Sequence, residues 1–161
     1  MYKVKISVGD LPYTGYINID PVPQIEESKL SEYTILVGNP SDLSQIEDGS
    51  CDEIIVRQFV EHLNTNNLFS TLTAWAKKLR RNGEIIISGT DFFTLMSLYK
   101  NGQLTLSETN AILFGEQKRA WDSKSLCVNI SDITDILSSA GLKIISKQIE
   151  GFIYIIKAKR V

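Results

Sequence analysis

The chain has 161 residues, 43% of them apolar and 22% charged, with a net charge of −2. That is enough for one domain with a full core over residues 1–161, in the range of soluble globular proteins. The near-neutral charge gives no reason to expect a broad nucleic-acid surface. No apolar run approaches the ~20 residues of a membrane span, and Met1-Tyr2-Lys3-Val4-Lys5 lacks the apolar core of a signal peptide. A cytoplasmic, membrane-free setting is therefore expected. Cys51 and Cys127 are the only cysteines and His62 the only histidine. They suggest no disulfide framework and cannot complete a tetrahedral zinc site alone, so both cysteines read as small buried hydrophobes.

Tyr2 to Val8 alternates apolar and polar residues, which predicts a strand with Lys3, Lys5 and Ser7 on a partly wet face. Gly9-Asp10-Leu11-Pro12 breaks it. Tyr16–Asp20 is a second strand, stopped by Pro21 and Pro23, and Tyr33–Val37 a third, ended by Gly38-Asn39-Pro40. Ile54-Ile55-Val56, after the acidic turn Glu47-Asp48-Gly49-Ser50, is a fourth. Asn64 to Asn67 offer caps for a helix whose apolar stripe is Leu68, Leu72, Trp75 and Leu79, with Phe69 and Ala76. Lys77, Lys78, Arg80 and Arg81 suit the last turn of that helix, and Asn82-Gly83 stops it.

Glu84–Ser88 is a fifth strand and residues 90–100 read as helix, whereas 101–130 show only weak periodicity. Ser131 reads as the N-cap of a helix with Asp132 and Asp135 in its first turn and Gly141 at its end. Leu142–Lys147 and Phe152–Ala158 pair around Glu150-Gly151. Strands alternating with helices, then a closing hairpin, predict an α/β, mostly parallel twisted sheet with an antiparallel C-terminal strand.

The stretch Asp48-Gly49-Ser50-Cys51-Asp52-Glu53-Ile54-Ile55, followed by Val60-Glu61-His62-Leu63, resembles the fourth strand of class I S-adenosylmethionine (SAM)-dependent methyltransferases. The Gly15–Asp20 segment GYINID, the Leu79–Glu84 approach to strand five and Ala140-Gly141-Leu142 fit the same family in the same order. The resemblance implies a Rossmann-like methyltransferase fold, SAM as cofactor, and a small-molecule or glycan-like methyl acceptor. It sets Gly9 at the start of the glycine-rich loop and Asp20 as the ribose carboxylate, which can accept from both vicinal hydroxyls. Either Asn39, or Asp42 with Leu43, faces adenine. Arg57, Gln58 and His62 lie beside the transferable methyl, His62 as a candidate general base. Asp91, Phe114, Gly115, Gln117, Trp121 and Asp122 belong to the acceptor lid.

Two departures stand out. Val8-Gly9-Asp10-Leu11-Pro12 keeps one glycine where the family has two or three. Asp10–Gly15 is too short for the usual first crossover helix, since parallel neighbours normally need roughly a dozen residues between them. Either strand two is short and parallel, or it is antiparallel and Asp20 lies at the wrong end of the sheet. Similar small methyltransferase-like proteins favour the parallel solution. The missing helix leaves one face of strand one with less cover, which a partner in a homodimer could supply.

Overall fold

The computed structural model describes all of residues 1–161. Strand β1 (Tyr2–Ile6) pairs in parallel with β2 (Ile17–Ile19), Val4 opposite Ile17 and Ile6 opposite Ile19. The short strand is thus parallel, and Asp20 emerges at the same end of the sheet as Gly9. β3 (Thr34–Leu36) extends this edge, and β4 (Cys51–Arg57) lies on the other side of β1. β5 (Leu79–Thr90), β6 (Leu142–Glu150) and β7 (Ile153–Arg160) complete seven strands in the order β3-β2-β1-β4-β5-β7-β6, with β7 antiparallel to both neighbours.

Helices α1 (Thr65–Lys78) and α4 (Ile130–Ser139) pack together on one face of the sheet, against β5, β6 and β7. Leu72, Trp75, Ile133 and Leu137 meet Val4, Ile6, Ile54, Val56, Ile85 and Ile87 there, all fully buried. Burying a side chain of this size contributes about 1.5–3 kcal/mol. The Trp75 indole N–H donates to Pro40 O at 3.2 Å, tying the irregular 37–50 segment to α1. α2 (Phe92–Lys100) and α3 (Leu106–Phe114) follow β5. No helix is long and apolar enough to cross a membrane.

Several local expectations are corrected. Helix α1 stops at Lys78, because Leu79 is fully buried, adopts extended geometry and pairs with Cys51. Arg80 and Arg81 therefore lie in a bulged start to β5, where Asn82 (φ 67°) and Gly83 absorb the bulge. A Cβ at Gly83 would stand 2.7 Å from Cys51 O, so close strand approach rather than helix termination explains this glycine. Phe69 is 56% exposed, outside the α1 core face. Helix α3 occupies part of the weakly periodic region; its signal was the capping box Thr105-x-x-Glu108. The N-cap of α4 is Asn129, not Ser131, because Asp132 reaches back to the Asn129 N–H. Cys51 is buried as expected, but Cys127 is exposed.

The largest surprise on β1 is Lys5, which is fully buried rather than wet. The connector between β1 and β2 folds over it. Lys5 Nζ pairs with Asp10 at 2.9 Å, donates to Leu11 O and stands 4.3 Å from the Tyr13 ring centroid. The chain thus covers that part of β1 itself, in the place a crossover helix usually takes. Asn18 clamps the connector: its Oδ1 accepts from Tyr13 N–H at 2.7 Å, and its Nδ2 donates to Tyr13 O, Tyr16 O and Thr34 O.

Candidate functional site

The strand order reverses between β1 and β4, and the carboxyl ends of β1, β2 and β4 rise there together. Open α/β sheets bind ligands at such a switch point. Two adjoining clefts lie over it. One, of about 280 Å³, is bounded by Gly9, Asp10, Arg57, Gln58, His62 and Trp121. The other, of about 500 Å³, is bounded by Pro21, Asn39, Phe59, His62, Asn64 and Asn67. His62 belongs to both.

Asp20 lines neither cleft; it lies behind Gly9 and Asp10, only 1% exposed. Its Oδ1 accepts from Gly9 N–H at 3.0 Å and Val22 N–H at 2.8 Å. Its Oδ2 accepts from the Ser7 hydroxyl at 2.9 Å and Asp10 N–H at 3.2 Å. An ionised carboxylate has about four acceptor positions, and all are filled by the chain's own donors. Asp20 therefore shapes the loop after β1. Contact with a ribose requires one of those donors to leave.

Asp10 is the freer carboxylate of the first cleft. Burial pushes its pKa up, but hydrogen bonds from Lys5 and Leu11 and the charges of Lys5 and Arg57 outweigh this and hold it below the usual value. Arg57 stands 3.6 Å from Asp10 and donates to the Tyr13 hydroxyl at 2.8 Å. Gln58 takes φ 45° as β4 ends, with its N–H donating to Ser88 O at 2.9 Å. That left-handed geometry at a non-glycine residue costs energy and is typical of functional turns.

His62 is partly buried and stacks on Phe59 at 6.1 Å between centroids. Its Nδ1 lies 2.9 Å from Ser123 O. A carbonyl oxygen can only accept, so Nδ1 carries the proton and Nε2 keeps its lone pair. Burial lowers the pKa of the ring, against the raising effects of the Ser123 carbonyl and the Glu61 charge. The imidazole is thus neutral at neutral pH, with Nε2 free as a base.

Of the adenine candidates, Asn39 lines the larger cleft. Asp42 is exposed and caps the turn at Ser44 N–H, 2.9 Å away, and Leu43 is 3% exposed in the core. These two are drawn away because Leu43 anchors the 37–50 segment and Asp42 faces solvent beside it. Among the lid residues, Trp121 and Asp122 line the smaller cleft. Phe114, Gly115 and Gln117 line a separate cavity, and Asp91 is the buried N-cap of α2, bonded also to Ile130 N–H at 2.7 Å.

Sequence reasoning missed Lys5, Tyr13 and Asn18 as organisers of the site. Glu61 was part of the Val60-Glu61-His62-Leu63 motif, but its role was not read: its carboxylate accepts from Thr90 N–H and its main-chain oxygen accepts from Ser125 and Leu126 N–H. A polar Asn inside the apolar GYINID strand was the available signal for Asn18.

No protein-family model matches the chain, and no curated protein matches it. Solved structures do. An O-methyltransferase family protein from Burkholderia thailandensis superposes with a TM-score of 0.63 at 10% identity, over 98% of this chain and 51% of that one; the chain spans about half its length. A SAM-dependent methyltransferase from Archaeoglobus fulgidus gives 0.63 at 15% identity, over 98% and 86%. Magnesium protoporphyrin IX methyltransferase from Synechocystis PCC 6803, solved with bound SAH, gives 0.62 at 16% identity, over 98% and 74%. The seven-stranded sheet with its reversed β7, and these likenesses, show that the chain has the α/β Rossmann-like fold of the SAM-dependent methyltransferases, here without the first crossover helix.

Proposed function

We propose that the chain binds SAM across the two clefts and transfers its methyl group to a small-molecule or glycan-like acceptor. The crevice carries the reading: two clefts meeting at His62, over the carboxyl ends of β1, β2 and β4 at the switch point of a methyltransferase sheet. When bound, this cofactor supplies an electrophilic methyl on a sulfonium. The protein's tasks are then alignment, water exclusion and handling of the acceptor's proton. Asn39, with the Phe59 ring and Pro21 nearby, suits an adenine, being a polar amide between apolar walls. His62 takes the acceptor's proton at Nε2, and Arg57 and Gln58 orient the acceptor.

A methyltransferase-like module without catalysis is the second reading. The filled acceptor positions of Asp20 favour it, since they leave a ribose no ready carboxylate. Thermal unfolding with SAM and with its demethylated product separates the two. A ligand at ~100 times its dissociation constant stabilises by ~2.7 kcal/mol. For a domain of this size that is a rise in Tm of about 5–10 °C. Absence of any rise at millimolar ligand removes the enzyme reading.

A further inference from the structure

Gly9 is the one glycine of the Val8–Pro12 turn after β1, and its open side is covered by the chain itself. A Cβ at Gly9 would stand 2.5 Å from Trp121 Cζ3, so the indole rests directly on the glycine. The ring arrives on a strap, residues 115–124, whose two ends are pinned. Lys124 N–H donates to Phe114 O at 3.2 Å and Lys124 Nζ to Ile112 O at 3.0 Å. Ser123 O holds the His62 ring, and no Cβ fits at Gly115 against Asp122 O.

The middle of the strap is different. The hydrogen bonds of residues 116–121 stay within it: Asp122 N–H donates to Arg119 O at 3.0 Å, and Lys118 pairs with Glu116. The Arg119 guanidinium lies 5.6 Å from the Trp121 ring and moves with it. Gly115 (φ 77°) and Gln117 (φ 54°) provide bends near one end. Lifting the middle therefore breaks no hydrogen bond to the sheet and gives up only the packing of Trp121.

We infer that Trp121 is a displaceable cover: its indole occupies the seat above Gly9, and cofactor entry requires the strap to swing aside. The inference rests on the cofactor reading above and adds how access to that site is controlled. The closed form lowers apparent affinity by the fraction of molecules that are open, so removing the indole strengthens binding.

The test is calorimetric titration of SAM and its demethylated product into the wild type and Trp121→Ala, with tryptophan emission followed in the wild type. Trp75 is fully buried in the core and supplies a constant background. The expected result is roughly fivefold or greater tightening in Trp121→Ala and a red shift of wild-type emission on binding. Equal or weaker binding by Trp121→Ala overturns the cover and leaves the cofactor reading intact. Absence of binding by both proteins overturns both. A ligand-free check uses Gly9→Ala, whose added methyl collides with the indole and shifts emission to the red; unchanged emission overturns the seat. Should Gly9→Ala fail to fold, the Trp121→Ala titration decides alone.

Discussion

Asp20 and His62 carry the site through opposite uses of hydrogen bonding. Asp20 is spent inward on four donors, three of them backbone N–H groups of the loops after β1 and β2. Truncating it leaves those donors buried and unpaired, and hydrogen bonds to a charged group contribute about 1.5–3 kcal/mol each. Because the loops can relax, Asp20→Ala is expected to destabilise by about 2–4 kcal/mol, read as a lower urea midpoint with an unchanged slope. A loss within ~0.5 kcal/mol, the size of an ordinary surface substitution, would show that the network carries little. His62 instead keeps one nitrogen free. Its folded-state pKa lies below 6.5, so the folded form binds fewer protons than the unfolded form as pH falls. Its contribution to stability is present above about 6.5 and is lost as pH drops through the depressed value. Methyl transfer should follow the same limb, level above neutrality and falling in acid, and His62→Gln should remove that limb from the pH–rate profile.

At the scale of elements, the connector of residues 7–16 does the work of a helix with less chain. Parallel strands normally need a longer crossover, and here Asn18 makes the short one possible by satisfying backbone groups of Tyr13, Tyr16 and Thr34 from inside β2. Lys5 fills the space beneath, neutralised by Asp10 and faced by the Tyr13 ring. Asn18→Ala leaves Tyr13 N–H without its partner and takes a donor from Tyr13 O, Tyr16 O and Thr34 O, of which Tyr13 O keeps Tyr16 N–H, and is expected to cost about 2–3 kcal/mol. It should also free Tyr13 and so weaken the Arg57 hydrogen bond at the cleft. Proteolysis of folded protein near Leu11–Tyr16 reports the release; cleavage as slow as in the wild type would mean the connector is held by something other than Asn18.

For the whole molecule, stability is expected to be graded from the middle of the sheet outward. β4, β5 and β7 each lie between two neighbouring strands, with β5 and β7 packed against α1 and α4, whereas β3 is a three-residue edge and strap residues 116–121 send no hydrogen bond to the sheet. Amide exchange should therefore be slowest at Ile54, Val56, Ile85, Ile87 and Ile156 and nearly unprotected in the strap. A strap as protected as the central strands would contradict the cover proposed for Trp121. The opposite sheet face carries Ile55, Ile86 and Ile155 only partly buried, between ion pairs such as Lys157–Glu84 at 2.8 Å. β4 and β5 are thus buried on one face, at Ile54, Val56, Ile85 and Ile87, and half-buried on the other.

The sequence by itself determined the strand alternation and the antiparallel closing hairpin, because hydrophobic period and turn residues are local signals. Ile54–Val56 and Glu84–Ser88 were legible for that reason, whereas Arg57, Gln58 and His62 were singled out only through the family resemblance. Tertiary structure decided what local signals cannot encode. The end of α1 was set by Leu79 joining Cys51 across the sheet, not by the basic residues that suit a helix terminus. The parallel course of β2, the burial of Lys5 and the inward turn of Asp20 depend on donors 5 to 16 residues apart meeting in space. The seat of Trp121 on Gly9 joins residues more than a hundred positions apart. No spacing rule links those two, and only the packed chain brings the indole to the glycine.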